Sequence, residues 1–223
     1  GDGLVLERVH VDGEERTDWR RDGEALIVPL GAGEHTLTIV TRILPSENTQ
    51  LMGLYASNGM LCTQCEAEGF RRITFFPDRP DVLSVYTVRM EADAQAFPVL
   101  LSNGNPVEEG QLEGGRHFAE WHDPWPKPSY LFALVAGDLV ARRDRFTTMG
   151  GREAELGAES PRQHRAADQI GRKEGTRSPD AQARIIGAVA ADARKRQRIG
   201  QRRMRGPHHR QDQRNREHEC RSG

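Results

Sequence analysis

Apolar and polar residues alternate with a two-residue period in several short stretches of this chain. From Leu4 to Val11 the apolar positions are Leu4 and Leu6, then Val9 and Val11, and Asp12-Gly13 follows as a turn signal. His35 to Ile43 sets Leu37 and Ile39 against Thr36 and Thr38, and Ser84 to Met90 sets Val85 and Thr87 against Tyr86 and Val88. Side chains two apart on a strand share a face, so these stretches predict half-buried strands. Shorter apolar runs predict further strands at Ala25 to Val28, Val99 to Leu101, His117 to Trp121 and Tyr130 to Ala136. Turn residues punctuate them at Ser102-Asn103-Gly104-Asn105-Pro106 and Glu113-Gly114-Gly115. No helical period of comparable length occurs before residue 150. The expectation is an antiparallel all-β domain.

Composition divides the chain in two. Every aromatic residue lies between Trp19 and Phe146. Residues 1–150 carry 14 Lys+Arg against 23 Asp+Glu, whereas residues 151–223 carry 18 against 10. The overall net charge of −1 is therefore a cancellation between an acidic part and a basic one. Leu, Ile and Val after residue 150 are Leu156, Ile170, Ile185, Ile186, Val189 and Ile199. So few large aliphatic side chains are outweighed by an ordering entropy of roughly 1–2 kcal/mol per residue. Two parts are expected: a folded β-domain over 1–150 and a low-complexity basic tail over 151–223, largely disordered or weakly helical. The helical candidate is Asp180 to Arg203, where Ile185, Ile186, Val189 and Ala193 share a face and Arg194 to Arg198 load the end.

The tail has two readings. Its 16 Arg, with only Lys173 and Lys195 beside them, suit a nucleic-acid-binding arm that contacts phosphates. The same Arg-rich, aromatic-free composition also arises when GC-rich DNA is read out of frame. No apolar run is long enough for a membrane helix. The opening GDGLVLERVH has neither the basic start nor the apolar stretch of a signal peptide, so a cytoplasmic protein is expected, and its start at a strand without Met suggests an N-terminal truncation.

Candidate chemistry concentrates in CTQCEAEGFRRITFFPDRPD, Cys62 to Asp81. Gln64 and Glu66, two apart on an extended segment, would point to the same side. An amide beside a carboxylate accepts hydrogen bonds from an ammonium group, and charge-assisted bonds are the stronger kind; a solvated acidic strand end is the plainer alternative. Glu68 is placed to pair with Arg71 or Arg72. Cys62 and Cys65 form a CxxC, but no second ligand pair accompanies it as a structural zinc site requires, and the βαβ context of a redox pair is missing. Phe75, Phe76, Pro77 and the Asp78-Arg79-Pro80-Asp81 turn read as a structural corner. The stretch WHDPWPKPSY, Trp121 to Tyr130, reads as a rigid connection with aromatics packed under it. His117 and His122 read as packing or surface histidines. His208, His209, His218 and Cys220 resemble a metal cluster. However, His218-Glu219 continues as Cys-Arg-Ser-Gly, so the second histidine of HExxH is absent. No metal site is expected in this chain.

The run Cys62 to Asp81, and LLSNGNPVEEGQLEGGRHFAEWHDPWPKPSYLFALVAGDLVARRDRFTT from Leu100 to Thr148, resemble the N-terminal β-domain of the bacterial aminopeptidase N family, zinc metallopeptidases with GAMEN and HExxH motifs. The resemblance covers roughly Gly1 to Gly151. It implies a twisted, saddle-like β-domain that the family begins several strands earlier, leaving a sheet edge open. It implies that Gln64 and Glu66 line the pocket for the first residue of a peptide, Glu66 helping to bind its free α-amine. In the full-length family, zinc-activated water cuts the first peptide bond, with basic or small apolar residues such as Ala preferred. Neither GAMEN nor HExxH occurs in this chain. It is therefore expected to be an inactive fragment with no catalytic residue and no bound zinc. A β-module with a nucleic-acid-binding arm is the alternative.

Overall fold

Alternation in the sequence becomes strands in the structure, a computed structural model that describes residues 1–162 and the backbone of 184–191. The strands are β1 (Val5–Val11), β2 (Glu14–Glu15), β3 (Arg20–Asp22), β4 (Ala25–Ile27), β5 (Leu37–Arg42), β6 (Gly53–Ser57), β7 (Met60–Gln64), β8 (Leu83–Asp93), β9 (Val99–Ser102), β10 (Asn105–Leu112), β11 (Arg116–Pro128), β12 (Leu134–Gly137), β13 (Leu139–Thr147), β14 (Glu153–Pro161) and β15 (Arg184–Ala191). All pairings between them are antiparallel. Helical structure among the described residues is confined to single 3-10 turns.

Two four-stranded sheets, ordered β10-β11-β8-β15 and β6-β7-β12-β9, supply the core. β8 alternates strictly. Ser84, Tyr86, Val88, Met90 and Ala92 are buried, and the residues between them are half-buried. Tyr86, Val88, Met90 and Ala92 join Leu54, Leu61, Leu100, Leu134 and Ala136 from the other sheet, with Cys65, Phe70, Ile73, Phe97 and Phe132 from the connections. The two inner faces thus interdigitate as in a β-sandwich. Trp121 of β11 packs against this core and donates its indole N–H to the Leu100 carbonyl of β9 at 3.1 Å.

Smaller sheets flank this core: β2-β1-β5, the hairpin β3-β4 and the hairpin β13-β14. The last of these runs from Leu139 to Pro161 and so passes through Gly151, the point where composition changes.

Several expectations are corrected. The candidate helix Asp180 to Arg203 is instead strand at Arg184–Ala191, paired with β8 over eight consecutive positions; the rest of that range lies outside the described residues. The apolar face that suggested a helix belongs to a short run, and a short apolar run fits either element until a pairing partner decides. Asn105 and Pro106 are not turn but the start of β10, an edge strand, where proline is tolerated. Tyr130 to Ala136 is not one strand. A 3-10 turn over Ser129–Leu131 precedes β12, so the chain turns before it pairs. Nor does WHDPWPKPSY bury all its aromatics: β11 extends through it with a register shift between Asp123 and Lys127, and Trp125 is 76% exposed there.

One clip on the outer sheet gives a pH prediction. Asp12 sits at φ 53 after β1 and accepts the Thr36 N–H at 2.8 Å, while His35 Nδ1 lies 2.7 Å from its second oxygen. The hydrogen bond to Asp12 is the main cause raising the His35 pKa, and the same bond is the main cause lowering that of Asp12. A raised folded pKa makes the His35 contribution complete below its unfolded value of about 6.5 and lost as pH rises through the folded value. A lowered carboxylate pKa makes the Asp12 contribution complete above the unfolded value and lost as pH falls through the folded one. Urea unfolding at pH 6 and pH 9 is expected to show a loss of stability towards pH 9 that shrinks in His35→Gln. Equal losses in both proteins would exclude the clip as a source.

Candidate functional site

The β6-β7 hairpin turns at Asn58 and Gly59, both with positive φ (50° and 78°), the geometry two-residue hairpin turns require. It carries Gln64 at the end of β7, opposite Gly53. The chain then leaves the strand: Cys65 turns into the core, and Glu66, Ala67 and Glu68 stand exposed in a turn. Gln64 ends β7 and Glu66 lies in the turn after it, with Cys65 buried between two exposed residues. They are brought together by the turn, with the Gln64 side-chain amide donating to the Glu66 carbonyl at 3.2 Å. Both side chains are exposed, which leaves the Glu66 carboxylate and the Gln64 amide oxygen open to an incoming donor.

Gly69 closes the turn. Its N–H donates to the Cys65 carbonyl at 2.8 Å. A Cβ at this position would stand 2.2 Å from the Gln64 carbonyl oxygen and 2.9 Å from the Cys65 Cα. Backbone therefore packs on backbone, and only glycine admits this path.

Behind the turn, Phe70–Arg72 forms a 3-10 turn anchored by Asp78. The Asp78 carboxylate is buried and accepts the Arg71 backbone N–H at 3.0 Å, the Arg71 Nε at 3.2 Å and the Ser129 hydroxyl. Arg71 also donates to the Asp78 carbonyl at 3.0 Å, and it pairs with Glu68 at 3.2 Å and Glu24 at 3.7 Å. Arg72 pairs with Asp2. Glu68 is thus taken up by Arg71, the first of the two arginines offered to it. Glu66 has no arginine beside it in these pairings. The structural corner predicted at Asp78 to Asp81 is present, with Arg79 bonded to Asp81 at 2.7 and 2.9 Å, but Asp78 reaches back to Arg71 rather than to its neighbour. Sequence reading missed this anchor because the partners lie seven and 51 positions away.

The cysteines do not form a site. Both Cys62 and Cys65 are free thiols. Cys65 belongs to the core, and burial, with a smaller contribution from Asp78, pushes its pKa to about 12. Cys65 is thus packed in the core rather than presented to a ligand. No group of three His, Cys, Asp or Glu among the described residues is arranged to hold a metal ion, so the described residues do not fit zinc. His117 bonds to the Phe97 carbonyl at 2.7 Å and His122 to Thr87 at 2.9 Å. His208, His209, His218 and Cys220 lie outside the described residues. Among the described residues no helix is long and apolar enough to cross a membrane.

The described residues form an all-β domain, with Gln64 exposed at the end of β7 and Glu66 exposed in the turn after it. It belongs to the M1 peptidase family: the Peptidase M1 N-terminal domain matches residues 10–131, more than half of the chain. Aminopeptidase N of Caulobacter vibrioides is 58% identical over 158 residues, which are 70% of this chain and 18% of that protein. Aminopeptidase A of Legionella pneumophila, solved in complex with aspartic acid, is 35% identical at a TM-score of 0.68, covering 72% of this chain and 19% of that one. An M1 zinc metallopeptidase of Deinococcus radiodurans shares the fold, at a TM-score of 0.59, 16% identity and coverage of 73% and 39%. The chain therefore spans about a fifth of the length of the aminopeptidase N relative it matches.

Proposed function

We propose that this chain is the N-terminal β-domain of a zinc-dependent aminopeptidase. In that assembly Gln64 and Glu66 receive the free amino end of a peptide, and hydrolysis proceeds on residues outside the chain. The observation that carries the reading is the exposed turn after β7. It exposes the Glu66 carboxylate and the Gln64 side chain, whose amide bonds the Glu66 backbone carbonyl, on a turn packed by Gly69 and backed by the Asp78 anchor. A peptide's ammonium group donates to the Glu66 carboxylate, and the Gln64 amide oxygen accepts a second of its hydrogens. Glu68 is neutralised by Arg71, so the turn presents one carboxylate to one ammonium rather than a diffuse acidic patch.

Zinc belongs to the full-length enzyme in this reading, and the described residues supply no ligands for it. Alone, the chain has no HExxH glutamate to act as base and is inactive. Residues 1–150 form the peptidase domain and residues 151–223 a basic tail, of which β14 and β15 pair with strands of that domain. The two free thiols fit a reducing, cytoplasmic compartment. The alternative of a nucleic-acid-binding arm gains no support from the matched proteins, which are aminopeptidases and metallopeptidases.

The test is a chimera in which this chain's matching residues replace those of the Caulobacter vibrioides aminopeptidase N. Hydrolysis of an alanyl chromogenic amide is expected from the chimera and not from the chain alone. Glu66→Gln in the chimera is expected to raise KM about tenfold or more, the loss of one hydrogen bond to a charged group. An unchanged KM would remove Glu66 from the site.

A further inference from the structure

The turn after β7 exposes two carboxylates, Glu66 and Glu68, and the Arg71 guanidinium reaches it from the 3-10 turn behind. The two carboxylates are used differently. Glu68 pairs with Arg71, whereas no ion pair among the described residues takes Glu66. The geometry points to Glu68 as a positioning residue: it occupies the outward donors of Arg71 and so leaves Glu66 unpaired for the amino end of a peptide. This role rests on Glu66 receiving the ammonium group, as proposed above.

The contacts of Arg71 fall into an inner and an outer set. Asp78 holds the inner set, accepting the backbone N–H at 3.0 Å and Nε at 3.2 Å, and its carbonyl accepts Nη2 at 3.0 Å. These bonds pin the base of the guanidinium. In the outer set Nη2 meets Glu68 Oε1 at 3.2 Å, and Nη1 lies 3.7 Å from Glu24 Oε2. The first separation is within hydrogen-bonding reach and the second is beyond it, so Glu68 is the closer outer partner.

The Glu68 side chain is 62% exposed and that of Arg71 27%. An ion pair this open to water adds little stability. Its consequence lies in which carboxylate Arg71 takes. A guanidinium has five N–H donors and keeps its charge, so its outward donors seek an acceptor when one is removed. The next carboxylate along the turn is Glu66, two residues before Glu68, at most about 7 Å away between Cα atoms. The turn is short and closed, with the Gly69 N–H on the Cys65 carbonyl at 2.8 Å. A pair between Arg71 and Glu66 would be charge-assisted, and a peptide's ammonium group would have to displace it. Glu68 removes that competition.

Two measurements test the role. The first uses the full chain carrying Glu68→Ala, a change at an exposed side chain. NMR of this variant is expected to show nuclear Overhauser contacts between the Arg71 side chain and the Glu66 γ-methylene that the unaltered chain lacks. Their absence from the variant would overturn the role. The second uses the chimera with the Caulobacter vibrioides enzyme. There Glu68→Ala is expected to raise KM for the alanyl amide about two- to fivefold at unchanged kcat, the worth of an exposed ion pair. Glu68→Asp keeps the charge and is expected to stay closer to the parent. In a Glu66→Gln background, Glu68→Ala is expected to leave KM unchanged, because Arg71 then has no carboxylate at 66 to capture. A rise that persists in that background would mean that Glu68 meets the ammonium group itself, and would overturn the role. If Glu66→Gln raises KM and Glu68→Ala does not, Glu68 loses its role and Glu66 keeps its own. If neither moves KM, both roles fall.

Discussion

Asp78→Ala is expected to lower the unfolding free energy by about 2–5 kcal/mol, because it removes a buried acceptor of several hydrogen bonds. The carboxylate is 4% exposed and accepts three hydrogen bonds. One comes from the Arg71 backbone and one from its Nε, so a single acceptor fixes both the path of the 3-10 turn and the side chain that leaves it. The third comes from the Ser129 hydroxyl, which is itself buried and lies in the connection between β11 and β12. Alanine leaves a buried hydroxyl and a backbone N–H without their acceptor, each costing on the order of 1–3 kcal/mol, together with a half-buried guanidinium that keeps only its outer partners. Asp78→Asn retains one acceptor oxygen and is expected to lose less. Urea unfolding monitored by far-UV circular dichroism reads both variants. A loss below about 1 kcal/mol for alanine would mean that the anchor is solvated and does not hold the turn.

The anchor also marks where sequence stops being informative. The strands that came out as expected, such as β1 and β8, announce themselves through local alternation, since one face of each meets a core and the other meets water or a neighbour. β10 was silent because it is an edge strand with most of its residues exposed, so no period survives in Pro-Val-Glu-Glu. The β6-β7 hairpin went unread although its Asn58-Gly59 turn is a strong hairpin signal, because its strands are only five residues each. β15 reads as helix or strand until its partner is known, and that partner, β8, is about a hundred positions earlier. The candidate site was half legible. The residue types at 64 and 66 pointed to an ammonium-binding pair, and the family resemblance gave them a role. Their juxtaposition by a turn, and the Gly69 contact that permits it, depend on atoms that no local pattern encodes.

Phe70→Ala is expected to be as damaging as loss of Asp78, by a different route. Phe70 is 3% exposed and is the hub of the aromatic cluster. Its ring meets Phe76 and Phe132 at 5.0 Å and Tyr86 at 5.9 Å, each edge-on. Edge-to-face pairs of this kind contribute about 0.5–1.5 kcal/mol beyond burial, and truncating a buried phenylalanine to alanine typically costs 3–5 kcal/mol once the cavity is included. The rings come from β8, from the corner before it and from the residues before β12, so no single element can close the gap. Phe70 also follows Gly69 directly. A turn freed of its aromatic weight can relax away from Gln64, and the close packing of Gly69 on the Gln64 carbonyl is what sets Gln64 beside Glu66. Phe70→Leu keeps most of the volume and is expected to recover more than half of the lost stability. The measurement is urea unfolding of the three proteins, with hydrogen exchange over 62–72 read in parallel. If alanine destabilises the protein but leaves exchange in that window unchanged, the cluster supports the core alone and the turn owes its shape to Asp78.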